Sequence, residues 1–287
     1  PNLFSKFTSI TEFNLGRGGG AYFHPDGNNG NTPLPNIHKT CTTYTAYNND
    51  FRTIASSSGD NKNIKELEDL SYLHLSGNYY LSDGGNFQLS PQNNKINYIN
   101  LAATGLNIPN LASKAELENA YMHYMRSSGG LFSGNTYKFN NCTQLSTLYL
   151  YSTNLSGSGG GRFPKFTNPS LTYLEMRYTG IKGGFKNGNI ERDSHAIDAE
   201  TFEDCINLQT FYVDSGNLSA NSIESTTFTF TPALQNIIYK SHGRTTGAIP
   251  NFNTCTNLRY FNLYNNAFSS GTPNFQSSLN INYINLS

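Results

Sequence analysis

One spacing of apolar residues recurs along almost the whole chain. Each unit has an apolar residue at position 1, a second at position 4 and a third at position 6. Eleven units match this pattern, and one of them, Tyr44-Tyr47-Asn49, matches it weakly. The other ten are Ile10-Phe13-Leu15, Leu70-Leu73-Leu75, Ile96-Ile99-Leu101, Leu117-Ala120-Met122, Leu145-Leu148-Leu150, Leu171-Leu174-Met176, Leu208-Phe211-Val213, Leu234-Ile237-Tyr239, Leu258-Phe261-Leu263 and Ile281-Ile284-Leu286.

The units follow one another at intervals of 21 to 37 residues, a repeat length that is typical of solenoids. Because each repeat of a solenoid packs only on its neighbours, such an array has no internal domain boundary. We therefore predict a single repeat solenoid of about eleven repeats over residues 1–287. Positions 4 and 6 are two residues apart, the period of a strand with one buried face, so each repeat is expected to contribute one short β-strand.

The segment from Phe252 to Phe268, followed by Gly271-Thr272-Pro273, resembles the leucine-rich-repeat consensus L-x-x-L-x-L-x-x-N-x-L with an Ile-Pro type of variable half. The resemblance extends over nearly the whole chain. It implies a right-handed superhelix with a parallel concave β-sheet and a mostly irregular convex side. It also implies a protein that binds other proteins, or sometimes glycans or lipids, on the concave sheet and is not an enzyme. The family's asparagine at position 9 is present only as Asn78 and Asn266, so we expect a less regular solenoid.

Two other sets of residues keep a fixed place before position 1. Six residues before it, eight units carry a hydrophobe, which predicts a phenylalanine-rich spine: Phe4, Ile64, Leu111, Phe139, Phe202, Phe228, Phe252 and Phe275. Three residues before it lie all four cysteines: Cys41, Cys142, Cys205 and Cys255. These cysteines are never in adjacent repeats, so the closest are roughly 10 Å apart at a strand spacing of about 4.8 Å. A disulfide needs Cα atoms within about 7 Å, and we predict four free, buried thiols that act as small hydrophobes.

Tyrosine is concentrated at positions 3, 5 and 7, which alternation places on the face opposite the core. Ten tyrosines lie there: Tyr72, Tyr98, Tyr121, Tyr149, Tyr151, Tyr173, Tyr212, Tyr260, Tyr264 and Tyr283. Much of the remainder is Asn14, Asn48, Asn100, Asn119, Asn236, Asn262, Asn285, His74 and His123. One interpretation is a surface that binds a protein or a glycan, because tyrosine combines a rigid ring with a polar tip. The other is that tyrosine simply favours strands and stacks between neighbouring repeats.

Composition and motifs exclude several classes of function. Lys+Arg and Asp+Glu both number 19, so there is no net positive charge to attract nucleic acid. No apolar run approaches the roughly 20 residues that membrane insertion requires. No G-x-S-x-G, H-E-x-x-H or P-loop motif is present, and we expect neither catalysis nor a cofactor. The charged segment from Glu191 to Asp198 is interpreted as a solvated excursion rather than a metal site, and the stretch from Gly16 to Thr32 as an exposed loop.

These observations lead to three ranked hypotheses. The first is a binding or scaffold module within a larger surface, fibre or virion structural protein, located on the extracellular surface or on a particle. The second is a secreted receptor-type ectodomain, for which the N-x-[ST] sequons at Asn141, Asn154, Asn217 and Asn285 are candidate glycosylation sites. The third is a polysaccharide-active enzyme. Neither end has an obvious capping repeat, so we expect a segment of a longer chain, or neighbouring segments or subunits that cover both ends.

Overall fold

An eleven-stranded sheet, in which every neighbouring pair of strands is parallel, forms one side of the protein. Each strand occupies positions 3 to 5 of one repeat, and β8 and β9 extend to position 7. The strands are β1 Glu12–Asn14, β2 Thr43–Thr45, β3 Tyr72–His74, β4 Tyr98–Asn100, β5 Asn119–Tyr121, β6 Thr147–Tyr149, β7 Tyr173–Glu175, β8 Thr210–Asp214, β9 Asn236–Lys240, β10 Tyr260–Asn262 and β11 Tyr283–Asn285.

The computed structural model describes residues 9–16, 32–56, 60–84, 87–125, 132–133, 136–155, 164–180, 197, 199–214, 223, 226–240 and 248–287. The predicted loop from Gly16 to Thr32 and the charged segment from Glu191 to Asp198 lie almost entirely outside these residues. So do Phe4 of the predicted spine and the sequon at Asn217.

The strands pair in register, so that position 4 of one repeat lies beside position 4 of the next. Leu148, for example, pairs with Ala120 on one side and with Leu174 on the other. These central side chains are fully buried from Tyr44 in β2 to Phe261 in β10. Positions 1 and 6 are buried on the same side over most of the array, so the three apolar residues of the pattern form the core, as the sequence predicts.

Outside the sheet, the described chain is mostly irregular. Its regular elements are three two-stranded pairs and two 3₁₀ helices: Pro33–Leu34 with Thr53–Ile54, Ile37–His38 with Asn61–Lys62, Phe132–Ser133 with Thr136–Tyr137, and the helices Ile64–Glu66 and Ala199–Phe202. The predicted phenylalanine spine is present on this side. The predicted members Phe202, Phe228, Phe252 and Phe275 stack in order, and Phe166, which was not predicted, extends the stack. Neighbouring ring centroids are 5.4 to 6.1 Å apart.

The predicted register of the second repeat is wrong by three residues. Tyr44, not Tyr47, pairs with Phe13 and Leu73 at position 4. The true unit is Cys41-Tyr44-Ala46, in which all three side chains are fully buried. Burial of Tyr44 is possible because its hydroxyl donates a hydrogen bond to the carbonyl of Pro35. Two tyrosines spaced three residues apart fitted the pattern in either register.

This shift moves three further residues from their predicted places. Cys41 belongs to position 1 and not to the column of the other three cysteines. Asn48 lies in the turn after β2, with φ of 55°, and not on the open side of the sheet. Asn49 now falls at position 9, where its side chain donates to the Leu15 carbonyl of the preceding repeat, as Asn78 does to that of Ala46. Asparagine therefore occupies position 9 in one more repeat than predicted.

The three cysteines that do share a column are hydrogen-bond donors as well as small core residues. Their place, three residues before position 1, is otherwise filled mainly by polar side chains, and we call this column the turn ladder: Asn93, Lys114, Cys142, Asn168, Cys205, Thr231, Cys255 and Ser278. All but Thr231 donate to a carbonyl of the preceding repeat, as Cys142 does to that of Leu111 at 3.1 Å. Burial raises the pKa of the Cys142 thiol to about 12, so its proton is retained.

All four cysteines are free and buried, as predicted. The prediction that they act as small hydrophobes is incomplete, because three of the thiols occupy turn-ladder places that Asn, Lys, Thr or Ser fill in other repeats. A carbonyl oxygen has two lone pairs, and several of these carbonyls, such as that of Leu111, also accept from a backbone amide. Each ladder donor therefore adds a hydrogen bond between neighbouring repeats.

The sheet, the buried pattern and the ladders identify the architecture as a leucine-rich-repeat solenoid. Only β11, at the sheet edge, leaves its position 4 residue open: Ile284 is 51% exposed. None of the helices in the described ranges is both long enough and apolar enough to cross a membrane.

The turn ladder makes a prediction about Cys142. The Leu111 carbonyl also accepts a hydrogen bond from the Lys114 amide, so replacement of Cys142 by alanine removes one of its two donors, at a cost of about 0.5–1.5 kcal/mol, whereas replacement by serine keeps both. We expect C142S to have the higher free energy of unfolding of the two in urea denaturation. If the thiol were only a small hydrophobe, C142A would be at least as stable as C142S.

Candidate functional site

The side of the sheet opposite the core carries the side chains at positions 3, 5 and 7, and we call it the open face. All ten predicted tyrosines lie on it. Eight are half-buried, and Tyr264 and Tyr283 are exposed. The corrected register adds Tyr47, whose ring stacks on that of His74 at a centroid distance of 4.7 Å. The sequence therefore predicted the composition of this face well but missed one of its tyrosines.

Neighbouring tyrosines on the open face stack on one another across the strands. The rings of Tyr72 and Tyr98 are nearly parallel, with centroids 4.3 Å apart, and those of Tyr260 and Tyr283 are similar at 4.4 Å. Further ring contacts continue from Tyr98 through Tyr121 and Tyr149 to Tyr173. Burial raises the pKa of Tyr72 to about 12, an effect to which the ring of Tyr98 adds. Part of the tyrosine enrichment thus stabilises the sheet itself.

A buried carboxylate lies at the centre of this face. Glu175, at the end of β7, has a side chain that is only 2% exposed. It accepts hydrogen bonds from the hydroxyl of Tyr173 and from Nε of Arg177. Burial and this hydrogen bond both raise the pKa of Tyr173, so its phenol remains a donor. Burial alone would lower the pKa of Arg177, but Glu175 outweighs it and raises that pKa.

Arg177 is held between two aromatic rings as well as by its carboxylate. Its guanidinium carbon is 4.6 Å from the ring centroid of Tyr151 and 4.1 Å from that of Tyr212, distances typical of cation–π contacts. Its Nη1 also donates to the Tyr212 hydroxyl at 3.2 Å. A second cation, Lys240 on β9, lies 4.8 Å above the ring of Tyr264 and 3.7 Å from the carboxylate of Asp214.

Three aromatic side chains project where strands β5, β6 and β7 end, and we call Tyr124, Tyr151 and Tyr178 the edge tyrosines. The ring of Tyr151 is 4.8 Å from that of Tyr124 and 5.6 Å from that of Tyr178. Tyr124 and Tyr178 are about half exposed, at 48% and 52%. Both occupy position 8, one residue beyond the last open-face position, which is why the alternation of the strand did not predict them.

The backbone of two edge tyrosines is strained. Tyr124 has φ of 55° and Tyr178 has φ of 53°, in the left-handed region where a bulky residue is unfavourable. The turn has this conformation in all seven repeats whose position 8 is described, and the other five have smaller residues there: Asn48, Gly77, Ala103, Ser152 and Asn265. Residues held in such conformations cluster at functional sites, and the fold itself does not require tyrosine here.

His123, next to the edge tyrosines, has a buried nitrogen with no hydrogen-bond partner. Its Nδ1 is inaccessible and unpaired, while its ring lies 4.8 Å from that of Tyr149 and 5.7 Å from that of Tyr124. Burial lowers the pKa of His123, which favours the neutral ring. An unsatisfied polar atom in a native structure is uncommon and marks this part of the open face as unusual.

The described residues contain no group of three or more His, Cys, Asp or Glu side chains placed to hold a metal ion. The arrangement on the open face is instead one of aromatic rings, an ion pair and polar tips, which suits non-covalent recognition.

Comparisons with known proteins were made for both sequence and structure. No family model matches the sequence, and no curated protein matches it. Among solved structures, the chain is similar to an internalin from Listeria monocytogenes, with 13% sequence identity and a TM-score of 0.39. That match covers 87% of this chain and 81% of the internalin chain.

The Glu175–Arg177 pair makes a prediction about stability. E175L leaves the Arg177 guanidinium without its carboxylate and is expected to cost about 1.5–3 kcal/mol, the worth of hydrogen bonds to a charged group. The double variant E175L/R177M removes both charges and should cost less than the sum of the two single variants. Urea denaturation of the four proteins measures this coupling. Additive effects would show that the two side chains do not depend on each other.

Proposed function

We propose that this protein is a non-enzymatic recognition module that binds a protein or a glycan on the open face. The observation that carries the proposal is the pair of strained, half-exposed tyrosines, Tyr124 and Tyr178, beside the ring of Tyr151. Glycine or asparagine at position 8, as in Gly77 and Asn48, would relieve the backbone without disturbing the core. The presence of tyrosine at both places is therefore best explained by contact with a ligand.

The surroundings of the edge tyrosines support this proposal. Tyrosine and arginine are enriched among the residues that dominate binding energy at protein interfaces, and here Arg177 lies against Tyr151. The guanidinium is already oriented by Glu175, so little side-chain entropy is lost when a ligand contacts it.

The ten predicted tyrosines have two roles in this proposal. Those in strands β3 to β7, such as Tyr72 and Tyr98, stack on their neighbours and give the face its rigidity. Tyr151 and the exposed Tyr264 stand at its rim, where a ligand reaches them. Because aromatic side chains have few rotatable bonds, a surface of prearranged rings loses little conformational entropy when it binds a ligand.

The binding proposal is tested with a triple variant, Y124S/Y151S/Y178S. The wild-type protein is immobilised and screened against a phage-displayed random peptide library and a glycan array, and the affinity of the selected binders is measured by biolayer interferometry. We expect the triple variant to lose these binders, because it removes the exposed rings while leaving the buried core unchanged.

The matched control is Y79S/Y80S, which removes two tyrosines that are equally exposed but lie away from the edge tyrosines. This control should bind like the wild type, and circular dichroism should show that both variants are folded. Equal binding by the triple variant and the wild type would refute the proposal. Selection of peptides or of glycans would also decide between the two ligand classes.

We further propose that the module belongs to a larger surface, fibre or virion structural protein located outside the cell or on a particle. The low content of charged residues, 13%, supports this setting, because solubility then depends on neutral polar groups. A receptor-type ectodomain is the second candidate, favoured by the exposed sequon at Asn154. Coverage of the ends of the array by neighbouring segments or subunits stays a prediction.

One experiment tests both settings together, and a second distinguishes between them. Immunogold labelling with an antibody against this protein should mark the outside of intact source cells or the particles they release, and labelling confined to the cell interior would contradict both settings. A mass decrease of the Asn154 peptide after enzymatic deglycosylation would favour the receptor-type ectodomain over a structural component.

A further inference from the structure

A row of side chains at position 7 crosses five repeats at the end of the strands. It consists of Tyr151, Arg177, Asp214, Lys240 and Tyr264, and we call it the charged row. Its two cations retain more exposure than the carboxylates that neutralise them. The side chains of Arg177 and Lys240 are 26% and 20% exposed, against 2% for Glu175 and 7% for Asp214. Asp214 lies in the row between the two cations, but each carboxylate is less accessible than the cation beside it, so an approaching molecule makes more contact with the cations.

Arg177 is held in place before any ligand arrives, and Lys240 is held more loosely. Arg177 lies between the rings of Tyr151 and Tyr212, and Lys240 lies over that of Tyr264. A guanidinium has five N–H donors, and the contacts to Glu175 and Tyr212 leave some of those on Nη1 and Nη2 for another acceptor. Lys240 is 3.7 Å from Asp214, longer than a direct hydrogen bond, so its ammonium also has donors to offer.

We infer that the charged row is a subsite for an acidic peptide segment, and this inference rests on the proposed recognition function of the open face. The planar fork of Arg177 matches a carboxylate, and the flanking rings provide the apolar contact that surrounds such pairs. Because β7 and β9 are two strands apart, the two cations are roughly 10 Å apart at the backbone. Alternate residues of an extended peptide are about 7 Å apart and face the same side, a spacing that the flexible Lys240 can meet.

The net charge of the row does not argue against this inference. Glu175 and Asp214 balance the two cations, so long-range attraction is weak and an acidic partner is not captured by charge alone. At contact distance, however, accessibility matters more than the sum of the charges, because Glu175 and Asp214 are nearly inaccessible whereas Arg177 and Lys240 are partly exposed. Recognition then requires carboxylates that are correctly placed, which gives selectivity rather than general affinity for polyanions.

The test uses fluorescein-labelled peptides in which alanine alternates with glutamate, glutamine or lysine, with binding measured by fluorescence anisotropy. The glutamate peptide should bind, and the other two should not. K240Q and R177K should each weaken its binding about tenfold, since the first removes a charge and the second keeps the charge but loses the fork. Binding should also weaken as salt is raised towards 0.5 M, which shortens the Debye length to about 4 Å.

The matched control is K39Q/K95Q, which removes two positive charges from exposed ion pairs far in sequence from the charged row. It should bind the glutamate peptide like the wild type, and thermal melting should show that all variants are folded. No binding of the glutamate peptide by the wild type would overturn the inference, as would equal weakening by the control. Tighter binding of polygalacturonate than of the glutamate peptide would assign the row to acidic glycans instead and would also overturn it.

These outcomes separate the subsite from the wider proposal. If K240Q and R177K keep every binder while Y124S/Y151S/Y178S loses the ligands selected on the wild type, the recognition function stands and the acidic-peptide subsite fails. If the triple variant keeps those ligands, the recognition function itself fails, whatever the charged-row variants do.

Discussion

The constraint on which this structure depends is the register of its parallel sheet. Because each strand pairs with its neighbours at the same repeat position, every position becomes a column that runs along the array. Columns 1, 4 and 6 form the core, and the columns between them form the open face. The same constraint aligns the turn ladder, so that a donor such as Asn168 meets the carbonyls of Phe139 and Cys142 in the preceding repeat. A residue type is therefore selected by its column.

The register also explains how one residue type can serve two purposes. Tyr72 and Tyr98 lie on relaxed strand backbone, where stacking on a neighbour is sufficient reason for an aromatic ring. Tyr124 and Tyr178 lie on strained turn backbone and contribute little to the core. The backbone conformation thus separates tyrosines that stabilise the sheet from those for which a ligand is the better explanation. Of the two interpretations that the sequence left open, stacking between neighbouring repeats applies to Tyr72 and Tyr98, and ligand binding stays a proposal.

Charge is scarce in this chain, and its placement is correspondingly informative. Most ion pairs in the described ranges are exposed or half-exposed and contribute little, as with Lys95 and Asp69. Glu175 and Asp214 differ because both are buried on the open face beside a cation that lies over a tyrosine ring. Removing two carboxylates from water in the middle of a surface otherwise built from rings and amides is costly. The fold does not require these buried carboxylates, because other repeats have neutral residues at the same positions.

The sequence by itself determined the repeat, the strand in each repeat, the buried columns and the tyrosine-rich face. It could do so because alternation along a strand is a local property that the chain displays without its neighbours. It did not determine the register of the second repeat, where Tyr44 and Tyr47 fit equally well until pairing with Phe13 and Leu73 decided between them. It also did not predict the donor role of Cys142, the edge tyrosines or the pairing of Glu175 with Arg177. These depend on which groups of the adjacent repeat lie within hydrogen-bonding or ring-contact distance, and only the stacking of the repeats brings such groups together.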